Sequence, residues 1–287
     1  NNTGKTALIE GLYSIANSEL IENFKGMEKA EALLDLEVFV NEKELEFINS
    51  DMDPQYWLSD ISNLKIAMSY SSSHNLLCIN KAEGFIDNGY KLIYENKSMF
   101  NAFHSFNNLN GGHISFSGIP QTVKNIFALL NRSMVFISGT RHVPKDQEAK
   151  LSDKLTVDGN NLNNFLYTLH NNHEVIFDKI TTVFKQIFND VTSIGTPIDG
   201  HGRTYISLKF EGNEEPIPLH NCGSGFTHVL IFLCVLFTQK NSIVLFDEPH
   251  VFLHPSAEKA IYDIIGENNH HQYLLTTHSP ILINYSF

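Results

Sequence analysis

Asp247 and Glu248 close a short apolar run, residues 242–246, and a carboxylate pair delivered by a buried strand is what chemistry at a phosphate requires. A second apolar stretch, 272–276, ends in Thr277-His278-Ser279, and Pro280 forbids the strand from running on. Two strands therefore bring an acid pair and a histidine to one edge of a sheet. Something must also hold the phosphate. Asn1-Asn2-Thr3-Gly4-Lys5-Thr6, followed by Ala7, reads as the second half of G-x-x-x-x-G-K-[ST]. In that motif backbone N–H groups wrap the phosphates, the lysine neutralises the β/γ oxygens and the Thr6 hydroxyl takes Mg²⁺. The helix that follows directs the positive end of its dipole at the same oxygens. The motif's opening glycine and the strand before it are absent and the chain starts without Met, so a truncated start is expected.

Gly223-Ser224-Gly225 precedes a strongly apolar helix at 229–237. The two glycines allow close backbone approach, and Ser224 sits at a helix start where its hydroxyl and free N–H groups can receive an anion; taken alone, the stretch reads as a plain helix N-cap. One helix and a turn separate it from Asp247. Arg141, just beyond a strand at 135–138, either reaches a phosphate or an acidic partner or sits in a solvated loop. His250 and His254 lie near the acids, but Pro249 and Pro255 bracket them, so no helix puts both imidazoles on one face. His270-His271 reads as a solvated turn, and Cys222 as a small buried residue.

The elements that must carry these residues can be read from periodicity. Leu8, Leu12, Ile15 and Ala16 fall at helical spacing after the phosphate loop. Strand-like runs at 36–40, 64–70, 76–80 and 90–94 predict an antiparallel arm, with a hairpin loop at 71–75. Residues 101–118, rich in Asn and Gly, read as a loop. Two amphipathic helices follow, one on Leu162, Phe165, Leu166 and Leu169, the other on Ile176, Ile180, Val183, Phe184 and Ile187. A strand at 205–210 belongs to a hairpin leading into Gly223. The divisions expected are a first core segment 1–34, the β arm and connector 35–118, a helical lobe with hairpin 119–220, and a second core segment 221–287.

At 287 residues the chain can bury a large core, and no apolar run approaches membrane-spanning length. A net charge of -12 argues against a broad nucleic-acid-coating surface, leaving only a local basic groove for such a partner. Three cysteines without paired spacing fit a reducing cytoplasm.

With its motifs in this order the chain resembles the soluble ABC-type ATPases of the AAA/OLD group, related to the RecF and SMC ATPases and found in bacterial anti-phage defence. The resemblance rests on the partial Walker A at 1–6, the signature-like Gly223-Ser224-Gly225, the Walker B strand 243–248, Leu253-His254-Pro255 and the switch histidine in 276–280. Residues 136–144 with 158–162 look like the group's middle region. The resemblance implies an α/β P-loop NTPase fold with a mostly parallel core sheet, flanking helices, an antiparallel β arm and a helical lobe. It implies ATP and Mg²⁺ as ligands, Thr6 and Asp247 at the metal, Glu248 as general base, His278 at the γ-phosphate, Lys5 and Asn1–Ala7 around the phosphates, and Gly223, Ser224 and Gly225 completing the pocket of a second copy. It further implies a homodimer or higher homo-oligomer and an effector such as a nuclease or toxin. A nucleotide-gated scaffold with little turnover and a DNA-repair or chromosome ATPase are the alternatives. His250 stands where the group commonly has Glu.

Overall fold

The structure, a computed structural model, describes residues 5, 9, 12–13, 31–51, 58, 61–71, 76–86, 89–95, 103–105, 121–268 and 270–285. The chain divides into two compact units, Glu10–Met134 on one hand and Asn1–Ile9 with Val135–Phe287 on the other.

The first unit is built on an antiparallel sheet. Strands β1 (Glu31–Phe39), β2 (Asn63–Ser71), β3 (Leu76–Ile86) and β4 (Gly89–Glu95) follow one another in space as in sequence. Leu64 and Ile66 are buried, Lys65 between them faces out, and their partners across the register are the small Gly84 and Ala82. Large side chains thus meet small ones, which lets the two strands share one buried face. A fifth, short strand, β5 (Phe103–Ser105), pairs with β3. It corrects the expectation of a loop throughout 101–118: Phe103 stands opposite Cys78 and gains ladder hydrogen bonds that a local Asn/Gly composition does not foretell. The other residues of that stretch, and 72–75 of the expected hairpin loop, lie outside the described residues.

Between β1 and β2, helix α1 (Glu42–Ile48) opens with a reciprocal cap in which the Asn41 side chain accepts from Glu44 N–H and the Glu44 carboxylate accepts from Asn41 N–H. Such caps stabilise a short helix by ~1 kcal/mol. Helix α2 (Gln121–Ser133) buries Ile126, Leu129 and Leu130 on one stripe. Its buried Asn125 donates to the carbonyls of Ile48 and Ser50, each at 2.8 Å, satisfying backbone groups at the end of α1.

The second unit holds the strands that end in the acids and the histidine. Strand β6 (Met134–Ile137) leads through β7 (Gln147–Glu148) to helices α3 (Leu162–Asn172) and α4 (Glu174–Ile187). Then come β8 (Val191–Gly195), β9 (Arg203–Thr204), β10 (Ser207–Phe210) and β11 (Ile217–Pro218), with β8, β10 and β11 forming an antiparallel sheet and β7 pairing with β9. The expected strand at 205–210 is shorter, beginning at Ser207. Helix α5 (Ser224–Thr238), strand β12 (Ile243–Phe246), helix α6 (Pro255–Glu267), strand β13 (Gln272–Leu275) and the short helix α7 (Pro280–Ile283) complete it.

Strand β12 is the centre of a sheet ordered β13-β12-β6, and its pairing with β13 is parallel. Helix α5 is buried from His228 to Leu236 without a break, so its apolar character on every face is that of a core helix. Phe232 stacks on Phe246 of β12 at 5.5 Å between ring centroids. Leu162, Phe165 and Leu166 of α3 and Phe177, Ile180 and Phe184 of α4 join the same apolar cluster as Val244, Ile261 and Tyr262. The two amphipathic helices therefore pack into the core that backs the sheet.

Candidate functional site

The ends of β12 and β13 are stitched together where the polar residues begin. Thr276 N–H donates to Phe246 O at 3.1 Å, and Asp247 N–H donates to Ile137 O at 3.0 Å, extending the sheet by one bond on each side. Asp247 is only 5% exposed, and the Thr276 hydroxyl donates to its Oδ1. The same hydroxyl accepts from Glu248 N–H at 3.0 Å. Glu248 departs from extended backbone with φ 46°, a left-handed conformation unusual for a residue with a Cβ.

That conformation carries the Glu248 carboxylate between two imidazoles. His278 Nε2 lies 3.5 Å from Oε1, and His250 Nδ1 lies 3.3 Å from Oε2. Oε2 is buried and, among the described residues, makes no hydrogen bond. His250 also lies 3.3 Å from the Thr277 hydroxyl. Lys5 Nζ donates to Thr277 O at 2.8 Å, so the phosphate-loop lysine reaches the end of β13. Lys5, Asp247, Glu248 and His278 are thereby brought to one corner of the sheet. Asn1, Asn2, Thr3, Gly4, Thr6 and Ala7 lie outside the described residues.

Gly223, Ser224 and Gly225 are placed elsewhere along this corner. Gly223 is the N-cap of α5 and Ser224 its first helical residue, so the stretch forms the helix start, capped by backbone alone. Among the described residues no hydrogen bond or ion pair runs from these three to Asp247, Glu248 or His278. A Cβ on Gly225 would lie 2.8 Å from Phe252 O, so glycine is what lets the helix start press against the loop after Glu248. Phe252 itself has φ 64° and is 70% exposed.

Several neighbours were not legible from the sequence in these roles. Arg141 is not solvated: its guanidinium is buried, Nη2 donates to Asp247 O at 3.0 Å, and burial lowers its pKa to about 10 despite the opposing pull of Asp247. Thr276 joins both acids, with only its place before Thr277-His278 as a signal. His271 is not a solvated turn residue either. Its Nδ1 accepts from Ser242 N–H at 3.2 Å and Nε2 lies 3.3 Å from Leu236 O, which pins the start of β13 to β12 and α5. His254 caps α6 and turns away from His250, which faces Glu248. Burial raises the Cys222 thiol pKa, as suits a packing residue rather than a nucleophile.

Gly139 sets the room available to the Asp247 carboxylate. A Cβ there would lie 2.7 Å from Asp247 Oδ2, and that carboxylate is already held by Thr276. Gly139→Ala is expected to displace the carboxylate by a fraction of an ångström and to lower Mg²⁺-dependent turnover on the order of tenfold, without loss of the cooperative fold. Phosphate-release rates across a Mg²⁺ titration check this, and a variant with the wild-type profile removes the constraint.

An acid pair at the end of β12, a histidine just beyond the end of the parallel β13 and a lysine bonded to Thr277 O fit a P-loop ATPase of ABC/AAA type on an α/β fold, the class that the family match gives. A family model described as "AAA domain, putative AbiEii toxin, Type IV TA system" matches residues 1–284, and the chain belongs to that family. Among solved structures the chain is similar to one described as "Structural biochemistry of ATP-driven dimerization and DNA stimulated activation of SMC ATPases". The two share 17% identity over 41% of this chain and 76% of that chain, with a TM-score of 0.34. No curated protein matches. Among the described residues no helix is long and apolar enough to cross a membrane.

Proposed function

We propose that this chain binds and hydrolyses ATP with Mg²⁺ in the cytoplasm, at a site completed by the Gly223-Ser224-Gly225 stretch of a second copy. We also propose that its nucleotide state controls an effector, a nuclease or toxin, in defence against phage. The convergence of Lys5, Asp247, Glu248 and His278 at the ends of β12 and β13 carries the enzymatic part of this reading. The family's description as a toxin of a toxin–antitoxin system supports the effector part.

The donor set fits the metal. The buried carboxylate of Asp247 is the hard oxygen donor that Mg²⁺ prefers, the sequence offers the Thr6 hydroxyl as a second, and two carboxylates side by side call for a cation. When bound, Mg²⁺ supplies charge neutralisation at the β and γ oxygens. Lys5 adds a second positive charge there, within reach of the switch strand it already touches. Glu248 accepts a proton from the attacking water as the water oxygen bonds to the γ-phosphorus and the bond to the ADP oxygen breaks. His278 faces the outer oxygen of that carboxylate and steadies the water in line. Phosphoryl transfer asks mostly for positioning, which the parallel pair β12–β13 provides.

Light scattering and phosphate release on the same sample test the reading. ATP with Mg²⁺ is expected to give phosphate release and a doubled mass. Release at unchanged mass removes the shared site, and no release at all removes the ATPase.

A further inference from the structure

One peptide unit in the site is held from both sides. The carbonyl of Asp247 accepts from Arg141 Nη2 at 3.0 Å, while the N–H of the same peptide, on Glu248, donates to the Thr276 hydroxyl at 3.0 Å. A peptide is planar, so fixing its C=O and N–H fixes the plane. That plane is one side of the φ angle of Glu248, which stands at 46°. A flip of the peptide would let Glu248 relax to the ordinary negative-φ region and would swing its carboxylate away from His278 and His250.

The arginine that makes this bond is itself held in place. Its guanidinium lies 5.0 Å from the Phe246 ring, with Nε and Nη1 buried and, among the described residues, without hydrogen-bond partners. The loop that carries it is tied down by His142 N–H to Asp158 O at 3.0 Å and Ser138 N–H to Val157 O at 3.3 Å. A buried guanidinium that leaves two donor atoms unpaired costs stability. Among the described residues, the one side-chain hydrogen bond it makes goes to the peptide before the general base.

We infer that Arg141 is a positioning residue for ATP hydrolysis: with Thr276 it clamps the Asp247–Glu248 peptide and holds Glu248 in the left-handed conformation from which it takes the proton. The inference rests on the ATPase reading above. It assigns Arg141 to turnover and not to nucleotide affinity, because the bond runs to the main-chain carbonyl before Glu248.

A double-mutant cycle with Glu248→Gln separates this role from a structural one. Arg141→Gln is expected to lower kcat about 10- to 100-fold with little change in the Kd of ATP, since a misplaced base costs rate rather than binding. In the Glu248→Gln background, measured by single turnover, Arg141→Gln is expected to add no further loss, because the group it positions has gone. Arg141→Lys, which keeps the charge and stem but not the planar fork, is expected to show the same split, and thermal melts of both variants identify any loss from unfolding. Losses that multiply across the two sites, or a Kd that weakens as much as kcat falls, overturn the inference. The ATPase reading fails separately, if the wild-type protein releases no phosphate or Glu248→Gln releases it equally fast.

Discussion

Glu248→Gln is expected to lower ATP turnover about 10²- to 10⁴-fold while leaving ATP bound, the loss typical of removing a general base. The amide has nearly the volume of the carboxylate, so it fits between His250 and His278 without opening a cavity. What it lacks is the basic oxygen and the negative charge. The surrounding bonds do not depend on that charge: Asp247 keeps Thr276, the Glu248 N–H keeps the same hydroxyl, and Lys5 keeps Thr277 O. Binding should therefore survive and chemistry should not. Bound nucleotide recovered after rapid gel filtration, together with mass by light scattering, checks both halves. The variant should retain ATP in an assembly that the wild type forms only transiently. Turnover at the wild-type rate removes Glu248 as the base, and loss of bound ATP shows that the carboxylate serves binding instead.

The corner of the sheet where these residues meet was legible because each strand announces its end. Apolar residues run up to Phe246 and then change abruptly to two acids, and those before Thr276 give way to polar residues stopped by Pro280. β13 is only half-buried, with Gln272 and Leu274 exposed, whereas in β12 the run is buried from Val244 to Phe246 and leaves the signature of a strand covered on both faces. Arg141 left none. Whether a loop arginine is solvated or buried is decided by the packing of Phe246 and by the ties between its loop and Val157–Asp158, contacts made across long sequence separations. His271 escaped for the same reason, since its two partners, Ser242 and Leu236, come from the preceding strand and helix. β5 was hidden by its composition, because pairing with β3 overrides the loop preference of Asn and Gly around it. The Gly223-Ser224-Gly225 stretch was ambiguous because a helix start satisfies the spacing of a cap and of an anion site alike, and the backbone places Gly223 as the cap.

Stability should fall as the pH drops from about 6.5 toward about 4, and His228 should account for as much as about 3 kcal/mol of the loss. This side chain lies in α5, 4% exposed, with Nδ1 2.8 Å from Val251 O. Burial, with Arg141 nearby, lowers its pKa to about 4 against 6.5 for a free imidazole. Between those values the unfolded chain takes up a proton that the folded chain refuses, so stability rises with pH across the window. Above 6.5 both states are neutral and below 4 both are charged, so the slope vanishes at either end. His228→Asn keeps an N–H for Val251 O and has nothing to titrate, so urea unfolding at successive pH values should show a shallower fall than the wild type over that window. Parallel curves would mean that His228 takes its proton in the fold. The position of the residue ties this to the site: Val251 precedes Phe252, whose carbonyl faces Gly225, and the His228 ring sits edge-on to Phe252 at 5.4 Å. A charged His228 would put a second cation near Arg141 and would strain the joint between α5 and the loop that follows Glu248. Acid should therefore weaken the Gly223-Ser224-Gly225 helix start earlier than it unfolds the first unit, a sequence that hydrogen exchange at α5 and at β2 can resolve.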